Sequence, residues 1–146
     1  MSCENAVMSD QQDIIDVTIA YTWALDTKQW DDLRTHVFTP DATAVLHKVE
    51  CNGVEAIIAR ISGAIEPLDT TQHLIGNHQV TIDGDTATCR CQLHSQHVRA
   101  GAEGGDLFVI GGFYRDRLIR TPKGWRIQHR DMIATWSSGN PAVPRR

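Results

Sequence analysis

An α+β domain is predicted, with a cone-like, strongly curved antiparallel or mixed β-sheet packed on N-terminal helices. Three observations lead there. Apolar residues recur at helical spacing in the first part of the chain, long strand-like segments separated by short turns fill the region after His73, and 146 residues suit one domain with its own core. A sheet with strands this long must bury one face, and wrapping it around a helix leaves an interior pocket open at one end. The domain is expected to span 1–146, with flexible termini at 1–8 and 137–146.

Ser9-Asp10-Gln11-Gln12 has the form of a capping box, so the first helix is expected to start there. Ile14, Val17, Thr18, Tyr21 and Leu25 follow at helical spacing, and Ile15, Ile19 and Trp23 widen the stripe enough to predict a well-buried helix ending at Asp26. A second helical stretch over Lys28 to Val37 presents Trp30, Leu33 and Val37, and Pro40-Asp41 is read as its closing turn. Thr43 to Val49 forms a first strand, and after Gly53 a third helix runs from Val54 to Ser62 on Ile57, Ile58 and Ile61. The remaining strands are Gln79–Ile82, Thr86–Arg99, Leu107–Arg120 and Trp125–Trp136. Asp83-Gly84-Asp85 and Pro122-Lys123-Gly124 are turns, and Ala100 to Asp106 is a long loop. Gly104-Gly105 and Gly111-Gly112 are the expected places for bending or bulging.

Composition narrows the function. The net charge of -4, with both signs mixed along the chain, offers no basic stripe for nucleic acid and no polybasic membrane anchor. No apolar run is long enough to span a bilayer, and the first residues lack a secretory pattern, so the expected location is cytoplasmic. Cys3, Cys51, Cys89 and Cys91 are read as reduced thiols. Cys89 and Cys91 share a strand face as small hydrophobes, and no second ligand pair follows at zinc-site spacing.

Strand parity gives the first candidate for chemistry. Ala87, Cys89, Cys91, Leu93, Ser95, His97 and Arg99 alternate onto the apolar face, which places His97 near the pocket mouth and His94 in solvent. The last strand yields no such answer, because neither the Trp125-Ile127-His129-Asp131 set nor the Arg126-Gln128-Arg130-Met132 set is cleanly apolar. Asp26 sits where the helix macrodipole disfavours a carboxylate, with Lys28 as the nearest compensation. Asp26 is either an exposed turn residue or a pocket carboxylate that orients a histidine as a base. The histidine entering the strand-rich half is His73.

The order of elements, the Tyr21, Asp26, Trp30 and Leu33 spacing, the Thr71-Gln72-His73-Leu74-Ile75-Gly76 segment and the Gly111-Gly112-x-Tyr114-x-Asp116 strand resemble the SnoaL-like branch of the nuclear-transport-factor-2-like superfamily. The resemblance covers about Asp10 to Trp136 and is strongest to the group containing scytalone dehydratase, lindane dehydrochlorinase and bile-acid 7α-dehydratase. It implies an Asp26–His73 acid/base dyad, a second active-site histidine at His97, an active-site tyrosine at Tyr21 and an active-site arginine at Arg130. It further implies a cofactor-independent, metal-free lyase acting on a small hydrophobic or cyclic molecule, and a homo-oligomer, trimer or dimer. Two departures stand out: tyrosines that polarise the substrate of scytalone dehydratase correspond to Leu25 and Leu46, which argues against scytalone itself. Isomerases, polyketide-cyclase-like enzymes, ligand-binding modules and structural dioxygenase subunits share the fold and remain alternatives.

Overall fold

Helix α1 (Cys3–Asp26) begins upstream of the expected capping box. The computed structural model describes the backbone of residues 3–144 and the side chains of residues 9–144. Ser9 therefore lies within a helix, and Gln12 reaches forward to Asp16 instead of back to a cap. Asp10 serves as a staple, accepting both terminal nitrogens of Arg120 at 2.8 Å and Trp125 Nε1 at 3.1 Å. Chiefly through Arg120, its carboxyl is held down to about 2. The stripe Ile14, Val17, Thr18, Tyr21 and Leu25 is buried as expected, but Trp23 is 65% and Ile19 37% exposed. One face of α1 meets the sheet, so the stripe is narrower than the sequence suggested.

A Schellman motif ends α1. Gln29 N–H donates to Ala24 O and Lys28 N–H to Leu25 O, with Lys28 in the left-handed region at φ 56°. The Lys28 ammonium does not compensate its own helix; it donates to the Glu66 and Leu68 carbonyls just past α3. A short helix, α2 (Trp30–Asp32), runs into a π-type turn at Leu33–Val37 that buries Leu33 and Val37. Trp30 Nε1 and Arg34 tie this corner to Glu66 and Glu55 at the two ends of α3 (Val54–Ile65).

The sheet contains β1 (Phe38–Leu46), β2 (Val49–Asn52), β3 (Thr70–Asp83), β4 (Thr86–Val98), β5 (Leu107–Thr121) and β6 (Gly124–Gly139). Their spatial order is β2-β1-β6-β5-β4-β3, with β1 parallel to β6 and every other neighbour antiparallel. Pro40-Asp41 is not a closing turn but part of β1, where pairing with β6 lapses between Phe38 and Thr43 and a missing N–H is tolerated. The strand expected to reach Val49 folds back after Leu46 through a two-residue turn, His47-Lys48, both left-handed.

Two bulges shape β6. Gln128 is the extra residue between Ile127 and His129, so Trp125 and Ile127 face the core before it, and Arg130 and Met132 after it. This parity switch is why the last strand showed no clean apolar face. Thr135 is the second extra residue, opposite Gly111-Gly112. A Cβ on Gly111 would meet the Trp136 ring at 1.9 Å and one on Gly112 would meet Ile133 O at 2.0 Å. The tail expected to be flexible from residue 137 instead continues β6 to Gly139, and Val143 is 1% exposed beneath an Arg99 guanidinium that donates to the Ala142 and Val143 carbonyls. The backbone of the other expected flexible segment, 1–8, is helical from Cys3; its side chains, and residues 1, 2, 145 and 146, lie outside the described residues.

Gly112→Ala, which places a methyl against a backbone carbonyl, is expected to cost on the order of 3 kcal/mol. Urea denaturation monitored by circular dichroism measures this, and a loss under about 0.5 kcal/mol would show that β6 yields easily.

Candidate active site

The dyad is assembled by the start of β3. Because that strand begins at Thr70, Thr71 and His73 both point inward, toward the last turn of α1. Asp26 Oδ1 accepts Thr71 Oγ1 at 2.9 Å and His73 Nδ1 at 2.6 Å, while Oδ2 accepts the His73 backbone N–H at 2.9 Å. Burial of the Asp26 carboxyl works against ionisation, but hydrogen bonds from the His73 side chain and backbone and from Thr71 outweigh it and hold the group below its ordinary value. An ionised Asp26 fixes the proton of His73 on Nδ1 and leaves Nε2 as the basic atom. The His73 side chain is 5% exposed.

His73 forms part of the wall of a cavity of about 920 Å³ between α1, α3 and the concave face of the sheet. Asp26 stands behind it, outside the wall. Tyr21 and Leu25 from α1, Leu46 from β1, Leu93 and His97 from β4, Ile110 and Tyr114 from β5 and Met132 from β6 line the same space. The β4 parity holds along its whole length, with Ala87, Cys89, Cys91, Leu93, Ser95 and His97 all buried and His94 exposed. His97 and His73 meet edge to face with ring centroids 5.9 Å apart. Nδ1 of His97 donates to Phe108 O at 3.2 Å. Burial, reinforced by His73, pulls His97 down to about 4, so at neutral pH it is an uncharged ring whose Nε2 is a hydrogen-bond acceptor.

Arg130 is not brought to the cavity. It is fully buried behind Tyr21 and Tyr114, with its guanidinium 4.2 Å from the first ring and 3.9 Å from the second. Its Nε and one terminal nitrogen each donate to Asp116 at 2.7 Å. Burial opposes the charge, but the Asp116 carboxylate more than restores it, and Arg130 is raised above its ordinary value. Sequence reasoning missed two partners here, Thr71 and Asp116. Both were within reach of parity: Thr71 is two residues from His73 on one strand face, and Asp116 shares the inward face of β5 with Tyr114.

Cys51, Cys89 and Cys91 are free and buried, and burial pushes the thiols of Cys89 and Cys91 up to about 12 and 11, which leaves them unreactive. The side chain of Cys3 lies outside the described residues. His129 bonds Thr43 and Asp131, away from the cavity wall. Among the described residues no group of three or more His, Cys, Asp or Glu is placed to hold a metal ion, and no helix is long and apolar enough to cross a membrane.

The model of the SnoaL-like domain family matches residues 6–131 of this sequence. The chain belongs to the SnoaL-like family. An uncharacterized protein of Mycobacterium tuberculosis is 35% identical over 129 residues, covering 86% of this chain and 85% of the relative. The terrestric acid biosynthesis cluster protein E of Penicillium crustosum is 31% identical over 142 residues, covering 93% and 90%. A solved Kribbella flavida protein superposes with a TM-score of 0.87 at 26% identity, over 96% of this chain and 99% of the other. The hexachlorocyclohexane dehydrochlorinase LinA superposes with a TM-score of 0.76 at 15% identity, over 96% and 93%, a likeness of fold. The architecture is thus that of nuclear-transport-factor-2-like and cystatin-like proteins.

Two tests address the electrostatics of this SnoaL-like site. Asp116→Asn strands the Arg130 charge in the core and is expected to cost about 3–5 kcal/mol, read as a lower urea midpoint. Asp26, with a folded pKa below its unfolded value of about 3.9, adds stability above that pH and loses it as pH falls through the folded value. Asp26→Asn should therefore flatten that acidic limb of a stability-against-pH curve; an unchanged limb would show that Asp26 is not held down in the folded state.

Proposed function

We propose that this SnoaL-like protein is a cofactor-independent lyase, dehydratase-like, acting on a small hydrophobic or cyclic organic molecule. The observation that carries the reading is the 2.6 Å contact between Asp26 and His73, which presents the His73 ring on the wall of a cavity lined mostly by apolar side chains. His73 Nε2 takes a proton from a carbon beside an activating group, and Asp26 stabilises the imidazolium without becoming protonated.

The proton then has to reach the departing oxygen. His97 is uncharged down to about 4, and burial of Tyr21 raises its phenol above the ordinary value, so neither gives up a proton readily at neutral pH. The newly formed imidazolium of His73 is the available donor. In this sequence the C–H proton passes to His73, the C–O bond breaks, and the imidazolium proton converts the departing hydroxide to water. Neutral His97 holds a substrate hydroxyl through Nε2, and Tyr21 donates to the oxygen on which charge builds. Arg130, which the resemblance implied as an active-site arginine, is assigned to positioning: it fixes the Tyr21 ring from behind.

Leu25 and Leu46 line the cavity where tyrosines would polarise scytalone, which supports a different substrate. The Penicillium relative belongs to a biosynthetic cluster, and LinA eliminates hydrogen chloride on the same fold; both are compatible with elimination from a small organic molecule.

Asp26→Asn and His73→Ala are expected to fold normally and lose ~10²–10⁴ in turnover, the usual share of general acid/base catalysis. Wild-type rates from either variant would remove the dyad from the mechanism. Mass spectrometry of the product separates the reaction classes: loss of water identifies a dehydratase, whereas unchanged mass identifies an isomerase or cyclase.

A further inference from the structure

Among the described residues no aspartate or glutamate lies on the cavity wall, although the chain carries 18 acids against 14 lysines and arginines. Two guanidiniums, Arg60 and Arg99, and three imidazoles, His47, His73 and His97, lie there instead. Among the described residues the fixed charges on the wall itself are therefore the positive ones of Arg60 and Arg99, while the Asp26 carboxylate stands behind His73.

The two arginines differ in how far they are satisfied. Arg99 donates to two backbone carbonyls, which orient it but do not neutralise it. Arg60, exposed on α3, makes no hydrogen bond or salt bridge among the described residues. Arg34, Arg115, Arg120 and Arg130 are each paired with a carboxylate. The α3-end carboxylates are already occupied, Glu55 by Arg34 and Glu66 by Trp30 Nε1.

Arg60 is also an exposed part of the cavity wall. His47 is fixed by the left-handed β1–β2 turn at φ 49° and lies within electrostatic range of both Arg60 and His97. His97 in turn packs against His73. All four lie on the one cavity wall, which runs from exposed Arg60, past His47, to buried His97 and His73. Burial first, and then Arg60, lowers His47, and burial likewise lowers His97, so the fixed positive charge of this run resides at its outer end. A cavity of about 920 Å³ accommodates a ligand that spans the run with its apolar body against Leu25, Leu93 and Met132.

We propose that the pocket takes an amphipathic carboxylate, with Arg60 binding the charged group at the mouth while the apolar body reaches inward to His73. The planar fork of a guanidinium matches a carboxylate with two parallel hydrogen bonds, and no carboxylate among the described residues pairs with Arg60. Treating that carboxylate as substrate rests on the dyad reading given above; its binding does not.

Isothermal titration calorimetry with 2-naphthoate and its neutral counterpart 2-naphthamide, at low ionic strength, tests the assignment without any turnover. The wild type is expected to bind the carboxylate about tenfold more tightly than the amide, the size of one charge-assisted interaction at a partly exposed site. Arg60→Gln should bring the two within about twofold while amide affinity stays the same, and Arg60→Lys should keep part of the preference. Arg117→Gln, on the outer face of β5, controls for general charge and should keep the full preference. Equal affinity of the wild type for both probes, no saturable binding of either, or a preference that survives Arg60→Gln would overturn the proposal. A wild-type turnover rate in Asp26→Asn would instead sink the catalytic reading and leave the carboxylate preference standing.

Discussion

A carboxylate in the last turn of a long helix faces the negative end of the helix dipole, and α1 has no basic residue in that turn to offset it. Asp26 is tolerated because β3 supplies three donors, one from Thr71 and two from His73. This contact ties the end of α1 to the start of β3, and with it the helix to the far edge of the sheet. The same hydrogen bonds set the tautomer and direction of His73. One set of bonds therefore both joins the end of α1 to β3 and orients the His73 ring toward the cavity, while the apolar stripe of α1 seats the rest of the helix on the sheet.

Behind the cavity a second charged cluster does a different task. Arg130 and Asp116 are directly opposed on β6 and β5, and both are sealed from solvent. Such a pair gains little net stability over apolar residues of the same size, because desolvation offsets the attraction. What it does provide is placement: the guanidinium lies between the faces of Tyr21 and Tyr114, two residues that also line the cavity. The pair thus holds in place the two tyrosine rings that form part of the wall facing His73.

Legibility in the sequence followed regularity of the backbone. On β4, thirteen residues with an unbroken ladder to β5, alternation placed every inward side chain from Ala87 to His97 correctly. On β6 the same arithmetic failed because Gln128 and Thr135 each insert a residue, and polar residues on both sides of a bulge carry no mark of the switch. On α1 the period was right and the width was wrong: Ile19 and Trp23 are apolar but face outward, since apolar character does not by itself reveal how many neighbours a helix has. His47-Lys48 escaped notice as a turn because left-handed backbone is usually signalled by glycine or asparagine, and neither is present.

By itself the sequence determined the α+β class, the three helical segments, the strands β4, β5 and β6 and the inward face that holds His97, because these follow from local periodicity, and through its family resemblance it offered Asp26 and His73 as a candidate dyad; it missed β2 and the first half of β3. The tertiary structure alone decided that the Asp26 and His73 side chains meet, that Arg130 belongs to Asp116 and not to the cavity, and that no aspartate or glutamate among the described residues lines the cavity with Arg60. Those outcomes depend on bulges, strand register and the seating of one helix on a curved sheet, all of which join residues far apart in the chain and leave no trace in the spacing of near neighbours.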